Sequence, residues 1–200
     1  MQDNDLRICF IGDSFVHGSE DPEYLGWTGR VSILARERGY KLTCYDLGVR
    51  RETSSEIAAR WELEARRRLP HPCTPYVVFS YGVNDTTVEE GRTRVPQLVS
   101  IENTRQILQT ARQCDYRTAL IGPPPIADRQ HNDRTRQLSL AMGQVAKAEG
   151  VEFLSTFDAL YADAVWMAEV SAGDGAHPGA AGYARFAALV DAWKGWWFRK

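Results

Sequence analysis

At 200 residues, with 44% hydrophobic and 25% charged residues and a formal net charge of −2, the chain has an ordinary globular composition, and a single domain over residues 1–200 is expected. No apolar run reaches the ~20 residues that a membrane span requires, and the slightly acidic balance argues against nucleic acid as a partner, since phosphate binding needs clustered Lys and Arg. Cys9, Cys44, Cys73 and Cys114 lack metal-ligand spacing and read as buried free thiols; with no charged-then-apolar leader in the first residues, they point to a reducing, cytoplasmic setting.

Residues 6–11 form the first predicted strand, and Gly12-Asp13-Ser14 follows it directly. A second strand is predicted over 41–47. Then comes Thr53-Ser54-Ser55-Glu56, a capping box that starts a helix at Thr53 whose apolar face is Ile57, Trp61, Ala65 and Leu69. Arg66, Arg67 and Arg68 fall at its end, where the helix dipole favours cations, so they read as a solvated terminus. The third strand, 76–81, runs into Gly82-Val83-Asn84-Asp85 and an irregular stretch over 85–97. A fourth strand over 118–121 leads to Pro123-Pro124-Pro125. Leu138, Ala141, Met142, Val145 and Ala146 then mark one face of a helix, before a last strand over 151–154. Asp174-Gly175-Ala176-His177-Pro178 precedes a final helix with Tyr183, Phe186, Ala187 and Val190 on its apolar face, and Pro178 suits its first position.

Apolar strands alternating with amphipathic helices predict a three-layer α/β/α sandwich around a central, mainly parallel five-stranded sheet, flavodoxin-like in arrangement. In such a fold the loops leaving the carboxyl ends of the strands gather on one edge, where ligands bind.

Three segments fall on that edge, and each has a plain alternative. Ser14 sits on a tight strand-to-helix turn suited to exposing a nucleophile, but Asp13 or Ser14 could equally be a helix cap. Asn84 could aim a side-chain N–H at a developing oxyanion, or simply belong to a turn. Asp174 and His177, three apart, could pair so that the carboxylate orients the imidazole, or could be a cap beside an incidental histidine. Taken together and in this order, the segments resemble the GDSL-type SGNH hydrolases, with Gly12-Asp13-Ser14, then Gly82, Asn84 and Asp85, then Asp174, His177 and Pro178 matching the family's first, third and fifth blocks. The resemblance implies that Ser14 is the nucleophile, His177 the base and Asp174 its orienting partner. It also implies that the Ser14 N–H and Asn84 donate to the oxyanion, with Asp13, Gly48 and Gly82 lining the site.

The second block departs from the family pattern, for Gly48 is kept but Arg51 stands where a glycine supplying a backbone N–H is usual. That N–H survives if Arg51 adopts the needed dihedrals, which is harder for a positive φ. Its side chain is expected to point to solvent, to add a cationic donor, or to pair with a carboxylate, narrowing the pocket toward short or anionic acyl groups.

The reading is therefore a serine ester hydrolase working through an acyl-enzyme without cofactor or metal, on a small-molecule, lipid or sugar ester. The alternatives are a non-catalytic binding domain on the same scaffold and an acyltransferase using the same site. The loops at 86–95 and 123–129 are expected to shape the pocket. His71 and His131 are assigned to exposed polar loops; His17, one turn after Ser14, reads as a surface residue, with lining of the pocket as the alternative. Trp193 and Trp197 extend the apolar face of the last helix, and the surplus of aromatics there, with Trp196 and Phe198, is expected to mediate a homo-oligomer contact.

Overall fold

Strand β1 (Leu6–Gly12) carries an unbroken apolar run because both its faces are covered, as its buried Ile8, Cys9, Phe10 and Ile11 show. The computed structural model describes residues 5–199, so the reading of the first four residues lies outside it. β1 pairs in parallel with β2 (Leu42–Gly48) on one side and β3 (Thr74–Ser80) on the other. β3 pairs with β6 (Arg117–Ile121), which pairs with β7 (Glu152–Leu154), also in parallel. The order β2-β1-β3-β6-β7 is that of a flavodoxin-like doubly wound sheet, whose switch point lies between β1 and β3.

The period-2 alternation of the strands divides the core in two. Ile8, Phe10, Tyr76, Val78, Ala119 and Ile121 face a cluster built with α2 (Gly26–Glu37), α7 (Ala164–Ala172) and α8 (Ala180–Ala192). Cys9, Ile11, Val77, Phe79 and Leu120 face the other, built with α3 (Ser54–Arg68), α4 (Gln97–Gln113) and α5 (Arg129–Glu149). Each of these fully buried Ile or Phe side chains contributes about 1.5–3 kcal/mol relative to exposure, and the two cores hold the sheet rigid beneath its functional edge. α3 starts as its capping box dictates: Thr53 is the N-cap and its N–H donates to the Glu56 carboxylate at 2.7 Å.

Several expectations are corrected. The stretch at 85–97 is partly ordered, with a turn of 3-10 helix at Asn84–Thr86 and a short hairpin, β4 (Val88–Glu89) and β5 (Arg92–Thr93). Pro178 is not the first helical residue; α8 is capped by Gly179 and begins at Ala180. Of the cysteines only Cys9 is buried, its thiol pushed by burial up to about 12, whereas Cys44 is exposed on β2 and Cys73 and Cys114 are half-buried; all four are free thiols. The C-terminal aromatics turn back onto the first core rather than outward: Trp196 and Phe198 are fully buried, and Trp193 and Trp197 are half-buried against the same cluster. α8 ends at Ala192, so it is the following turn, not the helix face, that seats them. Arg38 fastens this tail by pairing with Asp191 and donating to the Phe198 carbonyl at 3.1 Å. Among the described residues no helix is long and apolar enough to cross a membrane.

Candidate active site

The carboxyl ends of β1, β2 and β3 deliver the first three site segments. Ser14 opens α1 (Ser14–His17), a single turn capped by Asp13, whose Oδ1 accepts the Phe15 N–H at 3.0 Å. This turn lies so close to the end of β2 that a Cβ on Gly48 would stand 2.3 Å from the His17 nitrogen and 2.7 Å from the Asp13 carbonyl oxygen, and only glycine fits. The fourth segment, the loop between α7 and α8, brings in His177.

Ser14 Oγ lies 2.7 Å from His177 Nε2, although the residues are 163 positions apart. On the other side of the ring, Nδ1 is 2.7 Å from Asp174 Oδ2. Asp174 is itself fixed by the loop, since its Oδ1 accepts the Ala176 N–H at 2.9 Å and the His177 N–H at 2.8 Å. Partial burial pushes the Asp174 carboxyl up, but the backbone and ring hydrogen bonds from His177 and the Ala176 N–H outweigh it and the net direction is downward. An ionised acceptor at Nδ1 holds the proton there and leaves Nε2 free to accept from the Ser14 hydroxyl. Phe15 covers the imidazole, with ring centroids 4.7 Å apart.

The turn after β2 is built with unusual care. The Glu52 N–H donates to the Val49 carbonyl at 3.3 Å and Arg51 has φ +69°, so residues 49–52 form a type II-like turn with Arg51 where glycine is normally found. That conformation costs a non-glycine residue about 1 kcal/mol or more, and it persists only where neighbours over-determine it. Three do so here. Arg94 Nη1 donates to the Arg51 carbonyl at 2.8 Å, Asn84 Nδ2 donates to the Glu52 carbonyl at 3.0 Å, and Arg60 Nε donates to the Glu52 carboxylate at 2.7 Å. Arg60 also donates to the carbonyls of Leu47 at 2.8 Å and Gly12 at 3.2 Å, tying the turn to the ends of β1 and β2. Of the three orientations expected for the Arg51 side chain, two hold together: it is 73% exposed and it pairs with a carboxylate, that of Glu89 on the β4–β5 hairpin at 3.2 Å, rather than with Glu52. Asn84 spends one side-chain N–H on the Glu52 carbonyl and keeps the second.

Ser14, Phe15, Asn84 and His177 line a cleft of about 310 Å³ together with Thr87, Arg94 and Ile126 from the two loops expected to shape it. A larger cleft of about 600 Å³ adjoins it at Arg50 but reaches neither Ser14 nor His177, so size alone does not mark the site. Asp13, Gly48 and Gly82 do not line the cleft that holds Ser14, contrary to expectation. Asp13 is buried beneath the turn that carries Ser14, Gly48 faces the adjoining cleft, and Gly82, with φ +126°, lies against Pro123 and Leu138.

His131 differs from the expectation of an exposed loop. It is buried on the first turn of α5 and lines the cleft, with Nε2 lying 2.9 Å from the Val83 carbonyl and 3.0 Å from Thr86 Oγ1. Burial lowers its imidazole below the ordinary histidine range, which favours the neutral ring donating to Val83 and so steadying the turn that carries Asn84. The signal was present in the sequence: Asp128 is an N-cap, and His131, Thr135, Leu138 and Met142 continue one buried helical stripe backward. His71 is exposed as expected, and His17 is exposed at the rim of the adjoining cleft. Among the described residues no group of three or more His, Cys, Asp or Glu side chains is placed to hold a metal ion.

Asp13 gives a stability prediction. Burial pushes its carboxyl up to about 7, with the Phe15 N–H pulling down and the nearby Asp85 and Glu52 charges pushing further up, and its Oδ2 has no hydrogen-bond partner among the described residues. A group held above its unfolded value of 3.8 binds more protons when folded, so its contribution to stability falls as pH rises from 3.8 to about 7. Asp13→Asn keeps an acceptor for Phe15 and removes the titration. Urea unfolding at pH 5 and pH 8 is expected to show the parent losing on the order of a few kcal/mol more than the variant over that interval; equal losses would mean that Asp13 is ionised at both pH values.

Residues 10–185 match the sequence profile of the GDSL-like lipase/acylhydrolase family. The chain belongs to that family. Membership makes it an esterase-type hydrolase, and its α/β architecture matches solved structures of similar fold. It is similar to Axe2, an acetylxylan esterase from Geobacillus stearothermophilus, at 19% identity and a TM-score of 0.76, over 93% of this chain and 92% of that one. It is also similar to a lipase/acylhydrolase from Enterococcus faecalis, at 18% identity and a TM-score of 0.72, over 92% and 93% of the two chains. At such identities the likeness is one of fold. No protein of curated function matches the sequence closely enough to add to this.

Proposed function

We propose that this GDSL-like hydrolase cleaves carboxylic esters through a covalent acyl-enzyme on Ser14, with His177 as base and Asp174 as its orienting partner. The observation that carries the reading is the unbroken chain from Ser14 Oγ to His177 Nε2 and from Nδ1 to Asp174, with both links at 2.7 Å. A binding domain with a degenerate site would have no use for a serine hydroxyl held against an imidazole whose far nitrogen is fixed by a carboxylate.

In the first step Ser14 Oγ attacks the ester carbonyl while its proton passes to His177 Nε2. The carbonyl π pair moves onto oxygen, where the oxyanion meets the Ser14 N–H, the free side-chain N–H of Asn84 and the Arg51 N–H. Collapse of the tetrahedral adduct breaks the bond to the alcohol, which leaves with the proton from His177. Water then attacks the acyl-enzyme by the same route, giving the acid and restoring Ser14. Arg51 keeps its oxyanion role through the backbone, in agreement with its positive φ and exposed side chain.

Partitioning tests the covalent step. Acetate esters of several alcohols, hydrolysed in buffer with added methanol, are expected to give one common ratio of acetic acid to methyl acetate, since all pass through the same acetyl-enzyme. A ratio that changes with the leaving alcohol would contradict a shared intermediate, and a preference for an acceptor alcohol over water would move the reading to acyl transfer.

A further inference from the structure

The Ser14 cleft has a charge pattern that the overall composition does not explain. The chain is slightly acidic, yet Arg50, Arg51 and Arg94 all line this cleft and, among the described residues, no aspartate or glutamate does. The adjoining cleft, which shares only Arg50 with it, carries Glu20 and Asp21, so the absence of acidic groups is local to the side that holds the nucleophile.

The three guanidinium groups are not equally committed. Arg94 is bound to the Arg51 carbonyl and stands 3.7 Å from both Glu56 and Glu89, and Arg51 pairs with Glu89. Glu89 is thus shared between two arginines. Arg50 is exposed and, among the described residues, has no carboxylate within ion-pair distance. The backbone arrangement adds to this. A positive-φ arginine that lines the same cleft as Ser14 is held there by the Arg94 hydrogen bond to its carbonyl, with its side chain exposed and paired with Glu89. A cleft wall with surplus guanidinium charge and planar, forked donors is matched to a carboxylate or phosphate on the bound molecule.

We propose that the cleft takes esters bearing an anionic group, carboxylate or phosphate, next to the reacting ester, with Arg50 as the principal contact and the Arg51–Arg94 pair reinforcing it. This rests on Ser14 being the nucleophile and adds the substrate class to that reading. The anion is recognised in the bound substrate and takes no part in bond making, so it acts through kcat/KM and its salt dependence.

Pairs of esters that place an anionic or a neutral group at the same position test it, each rate being taken relative to the uncatalysed hydrolysis of the same ester. On the alcohol side these are para-acetoxybenzoate and its methyl ester, and para-acetoxyphenyl phosphate and para-acetoxyanisole; on the acyl side, monophenyl succinate and its methyl ester. In at least one pair the anionic member is expected to have kcat/KM about tenfold above the neutral one at low ionic strength, with the advantage shrinking as salt is added. The pair that responds identifies the side of the ester and the kind of anion. Arg50→Gln, a change at an exposed position, is expected to bring the anionic-to-neutral ratio down toward one, and Arg50→Lys to restore part of it. Neutral esters turned over as fast as or faster than every anionic partner would overturn the proposal while leaving the ester hydrolase reading intact, as would a ratio indifferent to Arg50→Gln. Failure of all the esters, charged and neutral, would instead strike at the ester hydrolase reading.

Discussion

Ser14→Ala is expected to lower kcat/KM for any ester substrate by ~10³-fold or more, and His177→Ala by a similar factor. The two act as one unit: the hydroxyl is a poor nucleophile unless Nε2 takes its proton, and Nε2 has nothing to activate once the hydroxyl is gone. The double variant should therefore fall within about threefold of the worse single variant, far from the product of the two losses. Ser14 and His177 are buried but small parts of the core, and neither substitution leaves a large apolar void, so thermal unfolding should shift little. Losses that multiply would mean that the 2.7 Å contact is not used as a proton path.

Asp174→Asn should cost ~10²- to 10⁴-fold in kcat/KM without disturbing the loop. The Asp174 Oδ1 that accepts from Ala176 and His177 has a counterpart in the asparagine carbonyl, so the backbone geometry is preserved. The other oxygen becomes an NH₂, which cannot accept from Nδ1 and instead favours the tautomer with its proton on Nε2. That nitrogen would then face Ser14 as a donor. Crystallography or NMR should find an unchanged loop beside a much slower enzyme; a variant within tenfold of the parent would show that orientation of His177 comes from Phe15 and the loop alone.

What could be read from the sequence was whatever depends on local order. β1 and β3 announced themselves by apolar runs, the other three strands of the main sheet by shorter ones, and Thr53 by its capping box, because these signals lie within a few neighbouring residues. Ser14, Asn84 and Asp174 with His177 were legible because each follows a strand end or precedes a helix, and such positions converge in a doubly wound fold. The positive φ feared for Arg51 is real, and the sequence offered no means of seeing what sustains it, since Arg94, Asn84 and Arg60 reach that turn from three other elements. His131 is a milder case, for its helical stripe is in the sequence but is masked by what surrounds it. Its neighbours Arg129, Gln130, Asn132 and Asp133 look like a solvated loop, and it is buried only by packing of α5 against the turn at Val83 and Thr86. The C-terminal aromatics are a further case: Trp196 and Phe198 are buried in the chain's own core and Trp193 and Trp197 pack half-buried against it, a division that the density of Trp alone does not reveal.

On the proposed mechanism the hydroxyl at the end of β1 is made nucleophilic by an imidazole delivered from the far end of the chain. Labelling with a fluorophosphonate probe, followed by peptide mass spectrometry, tests it most directly. The probe should modify Ser14 stoichiometrically and no other serine, and His177→Ala should abolish the labelling although Ser14 is still present. An unlabelled Ser14, or one labelled equally well in His177→Ala, would rule out activation of Ser14 by His177.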